Sequence, residues 1–457
     1  MLQPEVLSKD EISKMLGEIT QRELEIAKKA HLTELYDLVL FEGESGRATV
    51  RDIMGRKFID CTAQAWSLNV GYVQRDVIFA ISEQMKRLTH VRYGFPTIPR
   101  LKLAKKLIEI SPEGLKKVSF NNEGGSLAIE AALKLAMINT KASDFIVTKT
   151  GYHGSTLSTL KASQEMPLAI RFKAFGSERF EKINFPYCYR CPYDMKEKEC
   201  SLECARELEK ILEESEKKFA GFLIEPMQGP AGQIPVPKEY LKEVRRICSE
   251  NNVLLIFDES QTAFGRCGEM FASFYYKVEP DLMCLTKALG GGFPIGATLA
   301  REDLVGFTPA EEHTTFGSNP IMFAAALINI EVCERLRLPE KARKRGAHIT
   351  RRLKELSESY EMIGDVRGPG LFIGVELVKN ASRKRAIHET EDFIKLGFKK
   401  GVIFGRSMPD ERAGMIYDDR MITGGNVVKI KPPLVITEEE ADFVLQVFEE
   451  CLKTLKG

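Results

Sequence analysis

The chain has 457 residues, with 66 Lys and Arg against 65 Asp and Glu, a formal net charge of +1, 44% hydrophobic and 29% charged residues. That balance excludes a disordered or fibrous chain and provides no global field toward nucleic acid or an anionic membrane. The length exceeds the roughly 250–300 residues at which a single core stops growing, so two domains are expected.

The first ten residues, Met1 to Asp10, hold acidic groups and no sustained apolar stretch, so no secretory signal is expected. No segment approaches the roughly 20 apolar residues of a membrane span, and a cytoplasmic location is expected. Short apolar runs follow at Asp144–Thr148, Gly221–Glu225, Val253–Asp258, Leu282–Thr286 and Ala297–Ala300. Between them, Leu127–Ala136 and Glu239–Cys248 carry apolar residues at helical spacing, and Pro237 stands where a helix begins. Strands buried on both faces and mostly separated by helices predict an α/β fold with a mostly parallel central sheet. From Pro320 a helical stretch, Met322–Cys333, leads into the basic amphipathic run Lys341–Ser359. Strand-like Leu371–Val378 and Val427–Val435 and a final helix, Glu438–Lys456, then alternate at wider spacing. That texture predicts a smaller α+β domain. The expected division is an N-terminal part of the small domain over 1–60, a large domain over 61–334, and the rest of the small domain over 335–457.

Two of the apolar runs deliver a charge to a strand end: Asp258 closes Val253–Asp258, and Lys287 follows Leu282–Thr286. A lone lysine there is most often a strand end reaching water, and Gly-Gly-Ser before a helix is most often a plain cap. The ordered set is what carries chemistry. Gly124-Gly125-Ser126 precedes the helix Leu127–Ala136, where free amides and the positive end of the helix dipole favour a phosphate. Tyr152-His153-Gly154 offers a flat ring beside a glycine that permits close approach. Asp258 can keep a pyridine nitrogen protonated. Lys287, its amine favoured in the neutral form by desolvation, can hold an aldehyde and move a proton. These parts are what pyridoxal 5′-phosphate requires of a protein. The Gly290–Gly296 run lacks the G-x-G-x-x-G spacing and a following Lys-Ser or Lys-Thr, so a nucleotide loop is rejected.

On these residues the chain resembles the class III aminotransferases, pyridoxal-phosphate enzymes of fold type I. The likeness runs from Asp52–Asp60 through Pro432-Pro433-Leu434 and is densest in Phe257–Arg266, Pro280-Asp281 and Lys287–Gly292. In texture it is nearest the taurine and amine:pyruvate branch. The resemblance implies that Lys287 forms the Schiff base with the cofactor and Asp258 faces its ring nitrogen. It implies Gln261 beside the ring hydroxyl, Gly125 and Ser126 at the phosphate, and Tyr152 and His153 at the ring face. Thr315 then reaches the phosphate of a neighbouring subunit, so a homodimer with shared active sites is implied, and Glu225 lies near the substrate.

Departures bear on the substrate. Leu127 replaces the usual acidic residue after the phosphate turn, and Ser260 and Ala263 replace the usual valine and glycine. Lys429 stands where ornithine- and 4-aminobutyrate-type members place an arginine, and a point charge grips a carboxylate less directionally than a fork. Trp66, the only tryptophan, falls where amine- and taurine-type members line the pocket with aromatics, with core packing as the other reading. Arg92, Arg406, Arg412 and Arg420 lie in segments that can approach the substrate. The implied reaction moves an amino group from an amine, ω-amino acid or amino acid to a 2-oxo acid, pyruvate or 2-oxoglutarate. The alternative on the same scaffold is an amino-acid racemase or epimerase, in which Lys287 reprotonates Cα. No nucleic-acid or membrane partner is expected.

Cys188-Tyr189-Arg190-Cys191 with Cys200 and Cys204 places four thiols in one short insertion, a count that fits a tetrahedral zinc site. Zinc, an iron–sulfur cluster, a disulfide and free thiols all stay open, and no metal ligand is assigned. A metal-sensing or structural protein built on these thiols is the competing class of function. The other six cysteines are scattered singly, as buried reduced thiols are.

Overall fold

The computed structural model describes residues 45–456 except 122, 164–178, 197–198, 309, 380, 382 and 409–424, with isolated positions before residue 45. A seven-stranded sheet has the spatial order Leu115–Asn121, Gly296–Arg301, Leu282–Leu285, Leu254–Asp258, Phe219–Ile224, Asp144–Thr148 and Phe180–Ile183. From Leu282–Leu285 outward to Phe180–Ile183 all neighbours are parallel. Gly296–Arg301 alone runs against both of its neighbours. The helices Gly125–Thr140 and Lys238–Glu250 return the chain between parallel strands, the crossover that parallel pairing demands. The central strands are apolar along their whole length because both faces are covered: Phe222, Leu223, Leu255 and Ile256 are all fully buried.

Leu115–Asn121 and Phe180–Ile183 form the two edges of this sheet. Both are only partly buried, and a strand covered less thoroughly does not need the continuous apolar run that marked the others.

A six-stranded sheet has the order Thr49–Arg51, Lys57–Cys61, Val402–Arg406, Val427–Ile430, Ile373–Leu377 and Ile363–Arg367. It joins residues from before and after the seven-stranded sheet. The rings of Phe393, Phe404 and Phe448 pack together at 4.6–5.9 Å between centroids, seating the helices Ile387–Lys399 and Glu438–Lys456 on it. One apolar cluster runs from Leu107 and Phe323 through Phe264 and Leu289 to Val428 and Phe448. The two sheets therefore share a core beside the strand ends that carry Asp258 and Lys287. Among the described residues no helix is long and apolar enough to cross a membrane.

Candidate active site

Parallel pairing sets Asp258 opposite Cys284, so the carboxylate and the lysine that follows the neighbouring strand leave the sheet side by side. In open α/β sheets ligands bind beyond these carboxyl ends. Asp258 accepts from the Ser260 amide at 3.0 Å, and its other oxygen meets His153 Nδ1 at 2.9 Å. Burial works to raise the Asp258 pKa, but the His153 hydrogen bond and charge, the Ser260 bond and the Lys287 charge hold it below the usual value. The group stays an anion in a buried place.

Lys287 begins a single 3-10 turn, Lys287–Leu289, with φ +49°. A left-handed lysine costs about 1–3 kcal/mol and persists only where its surroundings impose it. Here Asn329, buried in the helix Pro320–Arg335, donates to the carbonyls of Ala288 at 2.6 Å and Leu289 at 3.3 Å. Burial lowers the Lys287 pKa, while Asp258 and Glu225 oppose the fall, so the neutral amine is more populated than on a surface lysine.

Gly125, Ser126, Tyr152, His153, Gly154, Asp258, Ser260, Thr286 and Lys287 border one cavity. The 16-residue helix Gly125–Thr140 opens at its edge with Gly124 at φ +106°, so its first amides face that space. A Cβ on Gly125 would come within 2.8 Å of Thr286 Cγ2, and one on Gly154, at φ +133°, would strike Ser126 Oγ and Thr159 Oγ1. Ser126 Oγ accepts from the Ser155 amide at 3.0 Å, tying the two glycine-bearing segments together. Glu225 accepts from the amides of Tyr152 at 2.9 Å and Gly229 at 3.2 Å. Burial raises its pKa to about 7, with His153 opposing and Asp258 adding to the rise.

Trp66 lies in a turn whose residues Ala63, Gln64, Ala65 and Trp66 all have φ between +43° and +69°. Asp60 pins that turn, accepting from Thr62 N at 2.7 Å, Thr62 Oγ1 at 2.6 Å, Gln64 N at 3.1 Å and Tyr72 Oη at 2.8 Å. The indole is thereby presented to Lys287 Nζ, 5.3 Å from its centroid, and to Lys429 Nζ at 5.2 Å. Lys431 Nζ is nearer still, 2.8 Å from the centroid. Sequence reasoning missed Lys431, although the signal was present: Lys429 and Lys431 are two apart, and alternate residues of an extended strand share a face. It missed Asn329 too, which no motif marked.

The remaining expectations divide. Gln261 is buried, with Oε1 lacking a partner and a Cβ on Gly229 barred by its amide. Thr315 is exposed in the turn before Pro320–Arg335 and does not border the cavity. Arg406 is occupied elsewhere, donating to the carbonyls of Gly425 and Ile387. Arg92 is exposed, and Arg412 and Arg420 lie outside the described residues. Cys188, Cys191, Cys200 and Cys204 line one small pocket, and none of the four is in a disulfide. Among the described residues no group of three or more His, Cys, Asp or Glu is arranged to hold a metal ion.

The site fits pyridoxal phosphate on its own evidence. His153 Nε2 and Gln261 Oε1 are buried without partners, the helix start is kept open by glycines, and an amine shares the cavity with a buried anion. The family model for aminotransferase class-III matches residues 34–452. A leucine/methionine racemase of Thermococcus litoralis is 35% identical over 443 residues, covering 95% of each chain. An acetylornithine aminotransferase of Methanocaldococcus jannaschii is 34% identical over 443 residues, covering 95% of this chain and 98% of the relative. The solved structure of a transaminase from the marine bacterium Virgibacillus matches with a TM-score of 0.84 at 26% identity, covering 95% of this chain and 99% of that one. The chain belongs to the aminotransferase class-III family and is a pyridoxal-phosphate-dependent transaminase of fold type I.

Proposed function

We propose that the protein moves an amino group from an amine, ω-amino acid or amino acid to a 2-oxo acid, pyruvate or 2-oxoglutarate. The observation that carries this is the cavity shared by Lys287, Asp258 and the Gly125–Ser126 helix start. Bound there, pyridoxal phosphate supplies an aldehyde for the amine and a ring that takes up the electron pair left when a proton departs the substrate carbon. The Gly125 and Ser126 amides would hold its phosphate at the helix start, and Tyr152 would flank its ring. Asp258, kept anionic by His153, would hold a proton on the ring nitrogen. Lys287 would bind the aldehyde carbon and, once released, carry a proton between two carbons. The Trp66 ring centroid lies 5.3 Å from Lys287 Nζ, which supports the amine-type pocket. Exposure of Thr315 supports its role on a neighbouring subunit's phosphate, and hence a homodimer.

Racemisation is the second reading, favoured by the 35% identity to a leucine/methionine racemase. One experiment separates the two. The loaded protein is mixed with one enantiomer of an α-amino acid and no acceptor, and cofactor absorbance, 2-oxo product and optical rotation are followed. Transamination gives one equivalent of 2-oxo product per site and a lasting change in absorbance. Loss of optical rotation without 2-oxo product would overturn it. Lys287→Ala should abolish either reaction, and borohydride should no longer fix the cofactor to the protein.

A further inference from the structure

Cys188, Cys191, Cys200 and Cys204 take no part in the chemistry above. They come together from two segments: the 3-10 turn Cys188–Arg190 with Cys191 just beyond it, and the start of the helix Glu203–Glu214 with the residues before it. All four border one space of about 30 Å³, room for only a water or two. Both segments are held in place. Tyr187, at the head of the first, donates to Glu376 of the strand Ile373–Leu377, and Arg190 Nε donates to the same carboxylate at 2.6 Å. In the second, Leu202 turns the chain at φ +60°, and its carbonyl accepts from the Ala205 and Arg206 amides at 2.8 and 3.1 Å. The Leu202 amide donates to Cys200 Sγ at 3.4 Å, which sets that sulfur beside the helix start that carries Cys204.

A metal site needs three or four donors converging on one point, and among the described residues no three His, Cys, Asp or Glu are so arranged. A disulfide needs only two sulfurs. The four thiols are unequal. Cys188 and Cys200 are exposed and Cys191 is half-buried, whereas Cys204 is 7% exposed and belongs to the apolar cluster that holds Tyr187 and Leu208. Burial pushes the Cys204 thiol up to about 12, with Cys200 and then Cys188 adding to the rise. The thiolate is the species that attacks a disulfide, so Cys204 is a poor first nucleophile. Cys200 is open to a dissolved reagent, and of the other three thiols it acts most strongly on Cys204.

We propose that Cys200 and Cys204 form a thiol–disulfide modification site whose oxidant is a small soluble disulfide of the glutathione type. The Cys200 thiolate attacks one sulfur of the reagent, forming a mixed disulfide and expelling one thiolate, which takes up a proton. Cys204 then gives up its proton to water and attacks the Cys200 sulfur. The Cys200–Cys204 bond forms as the bond to the reagent breaks, and the second thiolate leaves and is protonated in turn. The two cysteines lose two electrons and two protons, and the reagent is reduced to two thiols. A reducing dithiol reverses the reaction. This site does not depend on the transaminase reading.

The test uses the full, cofactor-loaded chain, reduced, freed of reductant and incubated with glutathione disulfide. Thiols are counted after unfolding, and peptides are mapped by mass spectrometry. The wild type should lose two of its ten thiols, retain no glutathione, and regain both thiols with dithiothreitol. The peptide that holds Cys200 and Cys204 should be lighter by two hydrogens. Cys204→Ser should stop at the mixed disulfide, with one glutathione on Cys200. Cys200→Ser should leave Cys204 unreacted, and Cys191→Ser should behave as the wild type. Persistence of all ten thiols, or a bond between any other pair, would overturn the proposal. So would one zinc ion per chain, retained in protein purified without chelator and shielding the four thiols.

Discussion

Replacing Lys429 by methionine should stabilise the cofactor-free protein at neutral pH and flatten its stability profile above it. Burial lowers the Lys429 pKa from 10.5 to about 7, with Glu225 opposing and the Lys287 charge adding to the fall. At about 1.4 kcal/mol per unit, the interval corresponds to at most about 5 kcal/mol. The sign follows from proton counting. Between pH 7 and 10.5 the unfolded chain keeps the Lys429 proton while the folded protein sheds it, so stability rises with pH across that window. At or below pH 7 the folded protein bears the full penalty of the buried charge, and near pH 10.5 the penalty is gone. Methionine fills similar volume without charge, so Lys429→Met should gain up to about 5 kcal/mol at pH 7, and the gain should shrink steadily toward pH 10.5. Urea unfolding of both proteins at pH 7, 8, 9 and 10 reads the difference directly. Parallel pH profiles, with a constant offset or none, would refute the claim that this lysine is desolvated.

Two further substitutions test how the site is held. Gly154→Ala puts a Cβ against Ser126 Oγ and Thr159 Oγ1 at a backbone angle of φ +133°; cofactor affinity, read by absorbance titration, should fall at least about tenfold, at a strain of roughly 1–3 kcal/mol. Asn329→Leu strips the donor from the Ala288 and Leu289 carbonyls; it should cost about 1–3 kcal/mol in chemical unfolding and slow the borohydride-stable attachment of cofactor at Lys287.

What was legible in the sequence was whatever left a local mark. Leu254–Asp258 and Leu282–Leu285 are buried on both faces, so their apolar runs marked them as central strands, and the charges at their ends stood out. Gly124 announced the start of its helix because a left-handed residue is needed there. The edge strands left no such run, being half covered. Asn329 could not be read because its role depends on a helix about 40 residues away in sequence lying against the Lys287 turn. Nor could the partner of Asp258 be derived from spacing, since His153 lies 105 residues earlier. The strands Phe180–Ile183 and Phe219–Ile224 and their crossovers separate them, and only the parallel order of the sheet brings the pair together.

The treatment of charge in this core separates groups that build the protein from groups that await a ligand. Asp258 and Glu259 are adjacent and both buried. Glu259 is satisfied by the Ala272 and Ser273 amides and Thr262, while Asp258 has one oxygen on His153 beside the cavity. The cations divide in the same way. Arg266 cannot shed its charge, and it is given the carbonyls of Leu371 and Pro432 and the Asn69 side chain as acceptors. Lys429 and Lys431 receive no acceptor, and burial lowers the pKa of each. An arginine in their place would remain a buried charge, whereas a lysine can lose its proton. Choosing lysine for the pair thus lets two amines sit in the core without a fixed charge there, a property that follows from burial and proton affinity together.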